Sequence, residues 1–179
     1  IKDVVFLAIM SAVALATCAV MPLVISLQPL IFGISQLVTA LQIGVFFAIG
    51  LYKVRKPGSL LIMALMMGLI QLMMSPPMFL SSVLNGVLIE LIVLLLFRGY
   101  EKDAAVFVAA MLHTPLSLPF NYLYNRLVKG TDSPLAAVAD RAPLAAVGMT
   151  LAVVAVSALG ALIGIKIARE LKKSGVLKK

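Results

Sequence analysis

Two ionisable residues, Glu90 and His113, lie inside long apolar stretches of the sequence. An ionisable side chain at membrane depth is costly, so such residues often mark a binding site or a proton pathway. The two stretches are consecutive and antiparallel, and at 1.5 Å per helical residue each of the two residues lies roughly 16 to 18 Å below the outer end of its stretch. We therefore expect the two to meet. They could hold a ligand, with Glu90 facing a cationic or hydrogen-bond-donating group and His113 orienting it. Alternatively, they simply pair with each other.

Further polar side chains accompany these two residues at helical spacing. The predicted substrate-binding set is Ser82, Asn85 and Glu90 on one predicted helix, His113, Ser117, Asn121 and Tyr124 on the next, and the amides Gln36 and Gln71 on two others. Residues three or four positions apart share one helix face. The set therefore predicts a substrate pocket that opens at one end of a helical bundle. The alternative is that these groups form hydrogen bonds between helices.

Sequence motifs of catalysis are missing from the chain. It has no phosphate-binding loop with a Gly-Lys-Ser/Thr ending, no HExxH metal motif and no GxSxG nucleophile elbow. A single cysteine and a single histidine do not predict a metal site or a cofactor site. We therefore expect a protein that is not an enzyme and that depends on an ion gradient or on separate ATPases for any transport.

Six apolar runs must position these residues. They are Val4 to Leu23, Leu30 to Leu51, Gly58 to Met74, Met78 to Phe97, Ala104 to Leu123 and Pro143 to Ile165. Each is close to the roughly 20 residues that cross a bilayer as a helix. Hydrophobic residues make up 63% of the chain and charged residues 12%, which excludes an ordinary soluble domain. The sequence predicts an all-α membrane protein, with residues 1–179 forming one compact domain of six transmembrane helices.

Lysine and arginine residues fall unevenly on the connections between these runs. One side receives 12 of the 15, and the other receives only Arg126, Lys129 and Arg141. Since cytoplasmic loops retain basic residues, both termini are predicted to be cytoplasmic, and the loop Arg126 to Ala142 is predicted to lie outside, where it could act as a lid. The basic residues flank apolar runs and form no single stripe, so we expect contact with membrane lipid and not with nucleic acid.

Small residues recur every four positions on the first and last predicted helices. They are Ala8, Ala12 and Ala16 on the first, and Gly160, Gly164 and Ala168 on the last. Such spacing lets another helix approach closely. For the first helix we favour docking of a separate partner protein, and for the last helix we favour packing within the bundle.

Together these features resemble the substrate-binding S component of energy-coupling factor (ECF) transporters. Three groups of residues carry the resemblance: the alanines at positions 8, 12 and 16, the stretch Val54-Arg-Lys-Pro-Gly58, and the segment Gly86 to Glu90. The last two together are similar to thiamine-related and MptD-type S components. The resemblance implies high-affinity binding of a vitamin-type micronutrient from outside. It also implies two kinds of partner: a membrane-embedded coupling subunit and two cytoplasmic ATPase subunits.

The resemblance also suggests a ligand. Glu90 and His113 resemble the acidic and imidazole groups of thiamine-binding members, so thiamine or its pyrimidine precursor is the leading ligand. Other vitamins, or haem held through His113 and methionines, stay open. The setting would be a bacterial or archaeal cell membrane. A different class of function stays open, namely a stand-alone ion-coupled carrier or channel in which Glu90 and His113 form a proton relay.

Overall fold

A computed structural model describes residues 2–18, 24, 26–27, 30–73, 75–128, 130 and 133–177. Within these ranges the protein is all-helical and has no β-strand. The helices are α1 (Lys2–Thr17), α2 (Ile34–Lys53), α3 (Ser59–Leu72), α4 (Pro76–Phe97), α5 (Asp103–Val128), α6 (Pro134–Arg141) and α7 (Pro143–Lys173). The predicted all-α class is therefore confirmed.

Four of these helices are long and apolar enough to cross a membrane by length and composition. They are α2, α4, α5 and α7, with α3 as a shorter apolar helix. Six crossings stay a prediction, because α3 has 14 residues and the end of the first predicted run, residues 19–23, lies outside the described residues. Two helices extend beyond their predicted ends, since α5 continues to Val128 and α7 continues to Lys173.

Prolines set several helix boundaries. Pro76, Pro134 and Pro143 each lie in the first turn of a helix, where the missing N–H group would have had no partner. Pro115 and Pro119 instead lie inside α5. A proline inside a helix has no N–H group, so the carbonyl group four residues before it loses its helical hydrogen bond.

The carbonyl group freed by Pro115 is that of Met111. The Ser157 hydroxyl of α7 donates to this carbonyl oxygen across 2.8 Å. An unpaired backbone group in the interior would be costly, so the serine replaces the lost helical bond and fixes α7 against α5. Pro115 therefore contributes to the contact between α5 and α7, although α5 continues as one helix through both prolines.

Glycines permit the close contact between α2 and α7. A Cβ atom at Gly160 would lie 2.5 Å from the Leu41 carbonyl oxygen, and one at Gly164 would lie 2.5 Å from the Val45 carbonyl oxygen. Gly44 of α2 approaches the backbone of α7 in the same way. The predicted packing of the last small-residue stripe within the bundle is confirmed.

We expect Gly160→Ala to destabilise the protein by about 1 to 3 kcal/mol, because the added methyl group meets backbone that cannot move aside. Gly148→Ala on the same helix is the matched control, since a Cβ atom there meets nothing within 4 Å. Thermal unfolding in detergent measures both variants. Equal melting temperatures would contradict the close contact.

Charged side chains join the loops at one end of the bundle, which we call the basic end and define by loops 54–58 and 98–102. Asp103 pairs with Arg55 at 2.5 Å and with Arg169 at 2.6 Å. Lys56 pairs with Asp3 at 2.6 Å. Exposed pairs of this kind contribute little stability, but here they connect α1, α5 and α7 to the loop between α2 and α3. These pairs therefore join the helix ends and the loop of the basic end to one another.

Candidate functional site

A cavity of about 370 Å³ opens at the opposite end of the bundle. Gln36 in the first turn of α2, Gln71 in the last turn of α3 and Tyr124 near the end of α5 lie at its mouth. It reaches to Asn85 and His113 in the middle of α4 and α5. The volume falls in the range of small-molecule binding pockets.

Eight of the nine predicted substrate-binding residues line this cavity. They are Gln36, Gln71, Ser82, Asn85, His113, Ser117, Asn121 and Tyr124. Residues at three- and four-residue spacing on several helices therefore converge around one cavity in the structure. That these residues bind a substrate stays a prediction.

Several buried polar atoms of the cavity wall have no hydrogen-bond partner within the described part of the chain. They are Asn85 Oδ1, both ring nitrogens of His113, Thr114 Oγ1 and Ser81 Oγ. Asn85 is 1% exposed, Thr114 3% and His113 5%. Buried polar groups are nearly always paired, and leaving one unpaired costs about 1 to 3 kcal/mol. A cluster of such groups around one cavity is typical of a site that completes its hydrogen bonds with a ligand.

His113 is held in place by an aromatic neighbour. Its ring centroid lies 4.4 Å from that of Phe47 on α2, with the ring planes tilted by 45°. Phe47 is fully buried. The packing fixes the imidazole without using either of its nitrogens, so both can contact a molecule in the cavity.

The predicted outer loop contains α6, and the start of α6 contributes to the cavity wall. Ser133 and Pro134 line the cavity, and the Ser133 hydroxyl donates to Asn125 Oδ1 across 3.0 Å. Asp140 of α6 accepts a hydrogen bond from Tyr122 and pairs with Arg126 at 2.9 Å. Residues 129, 131 and 132 of this loop lie outside the described residues. A lid function for the loop stays a prediction.

Glu90 requires a correction, because it does not line the cavity and does not pair with His113. Its Oε1 atom accepts a hydrogen bond from the Gly58 N–H group across 2.6 Å, and its Oε2 atom accepts one from the Tyr100 hydroxyl across 2.9 Å. The Leu61 N–H group is a further donor at 3.4 Å. Glu90 therefore contacts the basic end, and the predicted meeting with His113 is wrong.

The physical reason is the N-terminus of α3. The first N–H groups of a helix have no carbonyl partner, and a carboxylate there is favoured by hydrogen bonding and by the helix dipole. Gly58 has a left-handed backbone (φ 85°) and provides no side-chain cap, so Glu90 of α4 supplies the acceptor. Burial, and then the nearby Glu90 carboxylate, raises the pKa of Tyr100, which keeps its hydroxyl protonated as a donor.

Sequence reasoning missed several residues of the cavity. Those with polar side chains are Ser35, Thr39, Ser75, Ser81, Thr114, Asn125 and Ser133. Two of them carried a usable signal, since Asn125 lies four residues after Asn121 and Thr39 lies three residues after Gln36. For Tyr100 as a partner of Glu90 the sequence held no comparable signal.

The alanine stripe of α1 lies on an outer surface of the bundle. Ala12 and Ala16 are exposed and Ala8 is partly buried, whereas Leu7, Ser11 and Ala14 face the interior. Ser11 anchors that inner face by donating to the Met63 carbonyl oxygen of α3 across 3.1 Å. Packing within this bundle therefore does not account for Ala12 and Ala16. Contact with a partner stays a prediction.

These features define a multi-pass helical membrane protein with a polar cavity at one end. The chain belongs to the Trep_Strep family of hypothetical bacterial integral membrane proteins, whose family model matches residues 1–173. The family supports the bacterial half of the expected setting and not the archaeal half. Neither the curated proteins nor the solved structures gave a match.

Proposed function

We propose that this protein is the substrate-binding S component of an ECF-type importer and that it binds a vitamin-type micronutrient. The observation that carries the proposal is the cavity of about 370 Å³ whose innermost groups, including Asn85, His113 and Thr114, are buried without a hydrogen-bond partner in the described chain. Such groups bind a small polar molecule more readily than they stabilise an apolar bundle.

The proposal assigns the energy supply and the coupling step to separate partner proteins. The sequence contains no nucleotide-binding loop, so two separate cytoplasmic ATPases would supply the energy. A membrane-embedded coupling subunit would dock on the exposed face of α1 that contains Ala12 and Ala16. The ligand cavity and this face use different residues, which would allow binding and docking to be separated by mutation.

The position of Glu90 argues against the alternative of a stand-alone carrier. A proton relay through Glu90 and His113 needs the two groups in contact or bridged. Glu90 is instead bonded to Gly58 and Tyr100. The importer is therefore the better-supported of the two functions.

Reconstitution in liposomes tests the proposal. Uptake of a vitamin mixture should require the coupling subunit, both ATPases and ATP inside the vesicles together with this chain. Uptake by the purified chain alone, driven by a proton gradient, would refute the proposal and support the carrier.

We further propose that the cavity faces the exterior and that both termini are cytoplasmic, since 12 of the 15 lysines and arginines fall on the terminal segments and the connections of the opposite side. Single cysteines placed on a Cys18→Ala background test the orientation. Arg141→Cys should react with a membrane-impermeant maleimide in intact cells, whereas Glu101→Cys should react only after permeabilisation. Both positions are exposed in the structure. The reverse labelling pattern would invert the topology.

Within the vitamin class we propose thiamine or its pyrimidine precursor as the ligand, because of the resemblance to thiamine-related and MptD-type components. The two differ in charge, since thiamine carries a fixed positive charge and the precursor has none. The charge of the cavity can therefore distinguish them.

A further inference from the structure

The wall of the cavity is polar but carries no formal charge in the part of the chain that the structure describes. Fifteen of its twenty residues have polar side chains, and none is lysine, arginine, aspartate or glutamate. The remaining five, which include Ile43 and Met67, supply apolar surface. This is an unusual wall for a site that must hold an ion away from water.

Of the charged side chains described on α5 and α6 at the cavity end, Asp140 and Arg126 are paired, and Arg141 is exposed and does not line the cavity. Asp140 is neutralised by Arg126 at 2.9 Å and also accepts a hydrogen bond from Tyr122. Glu90 is bonded to Gly58 and Tyr100 at the basic end. Neither carboxylate is therefore available as the counter-charge of a cation, and Arg126 is not available as that of an anion.

The unpartnered groups offer both donors and acceptors. Asn85 Oδ1 is an acceptor, and the Thr114 and Ser81 hydroxyl groups each donate and accept. A neutral His113 provides one donor and one acceptor, whichever nitrogen carries the proton. A site for an anion would present mainly donors, and a site for a cation mainly acceptors, so this mixture fits neither.

The cost of removing a ligand from water also favours an uncharged ligand in this cavity. An ion that leaves water without a counter-charge loses far more free energy than a neutral polar group whose hydrogen bonds are replaced. The cavity can replace the hydrogen bonds of a neutral molecule with its own unpartnered groups. The described part of its wall contains no charged side chain that could offset the desolvation cost of an ion.

We infer that the cavity selects a small molecule without net charge whose polar edge carries both donors and acceptors, such as an amide or an aminopyrimidine. Its apolar face would rest on Ile43 and Met67. The inference rests on the proposed function and deepens it, because it favours the uncharged pyrimidine precursor over thiamine.

A panel of matched compounds tests the inference on the purified full chain. The panel is thiamine, its hydroxymethyl-aminopyrimidine precursor, nicotinamide and nicotinate, and binding is measured by equilibrium dialysis with mass spectrometry. We expect at least one uncharged member to bind, with an affinity about 100-fold or more above that of its charged counterpart. Preferential binding of a charged member, or binding of no member, would overturn the inference.

Two leucine variants show whether binding uses the cavity. Asn85→Leu should reduce the affinity for the bound uncharged compound at least about tenfold, because it removes a buried hydrogen-bonding group. The ligand-free variant should melt at the same or a higher temperature, because the lost amide oxygen had no partner in the described chain. Gln42→Leu is the control, since it also removes an unpartnered amide oxygen, but its residue does not line the cavity. Equal affinities for the two variants would contradict the inference.

These outcomes are separable from those of the proposed function. If the chain assembles with the coupling subunit and transports a charged vitamin, the importer proposal stands and the inference fails. If the purified chain binds the uncharged compound in its cavity but transports it alone, the inference stands and the importer proposal fails.

Discussion

Replacing Ala12 by leucine is expected to impair uptake in the reconstituted importer while ligand affinity and melting temperature stay unchanged. The Ala12 side chain is exposed on α1, so leucine there meets no neighbour in the isolated chain and would face lipid. Against a closely docked helix, the larger side chain would separate the two backbones. Overpacking of this kind costs about 1 to 3 kcal/mol, or roughly a 5- to 150-fold loss of affinity for the coupling subunit.

Ala155→Leu is the matched control, because Ala155 is also an exposed alanine but lies on α7. It should assemble with the coupling subunit and transport normally. Ala16→Leu should behave as Ala12→Leu does, since both alanines belong to the same exposed face. The measurements are co-purification with the coupling subunit and uptake in liposomes. Normal assembly of both α1 variants would show that the alanine face contacts only lipid.

The two small-residue stripes show what sequence spacing can and cannot predict. Spacing of four residues identifies a flat helix face, and both stripes have one. In the structure, Gly160 and Gly164 contact the α2 backbone, whereas Ala12 and Ala16 are exposed. The difference depends on which helix lies opposite, and one helix's spacing does not contain that information.

The cavity was predictable for a related reason. Polar residues are expensive in an apolar bundle, so their clustering at one end of several predicted helices already indicated where the helices enclose a polar space. The cost of an ionisable group at membrane depth singles out His113, helical spacing from it gives Asn121, and both line the cavity. The seven missed polar residues include serines and threonines, which occur widely on membrane helices because they also bond to backbone carbonyls, as Thr39 does to Ser35.

Glu90 was misplaced for a different reason. Its depth was measured from the cavity end of α4, yet it lies only seven residues, or roughly 10 Å, from the other end of that helix at Phe97. Sequence periodicity predicts which face of a helix a residue lies on. It does not predict which other helix or loop packs against that face. The Glu90 carboxylate is held by N–H groups at the start of α3. Only the three-dimensional structure shows that these groups lie beside Glu90.

We expect Glu90→Leu to destabilise the protein by roughly 2 to 4 kcal/mol, because the Gly58 N–H group and the Tyr100 hydroxyl would both lose their acceptor in a buried setting. Tyr100→Phe removes a single hydrogen bond and should cost only about 1 kcal/mol. Thermal or denaturant unfolding in detergent measures both variants. The less drastic Glu90→Gln retains one acceptor oxygen, so it should fold and bind the same compound as the wild type with unchanged affinity. A large loss of affinity in Glu90→Gln, with unchanged stability, would return Glu90 to the ligand site and contradict its role as a helix cap.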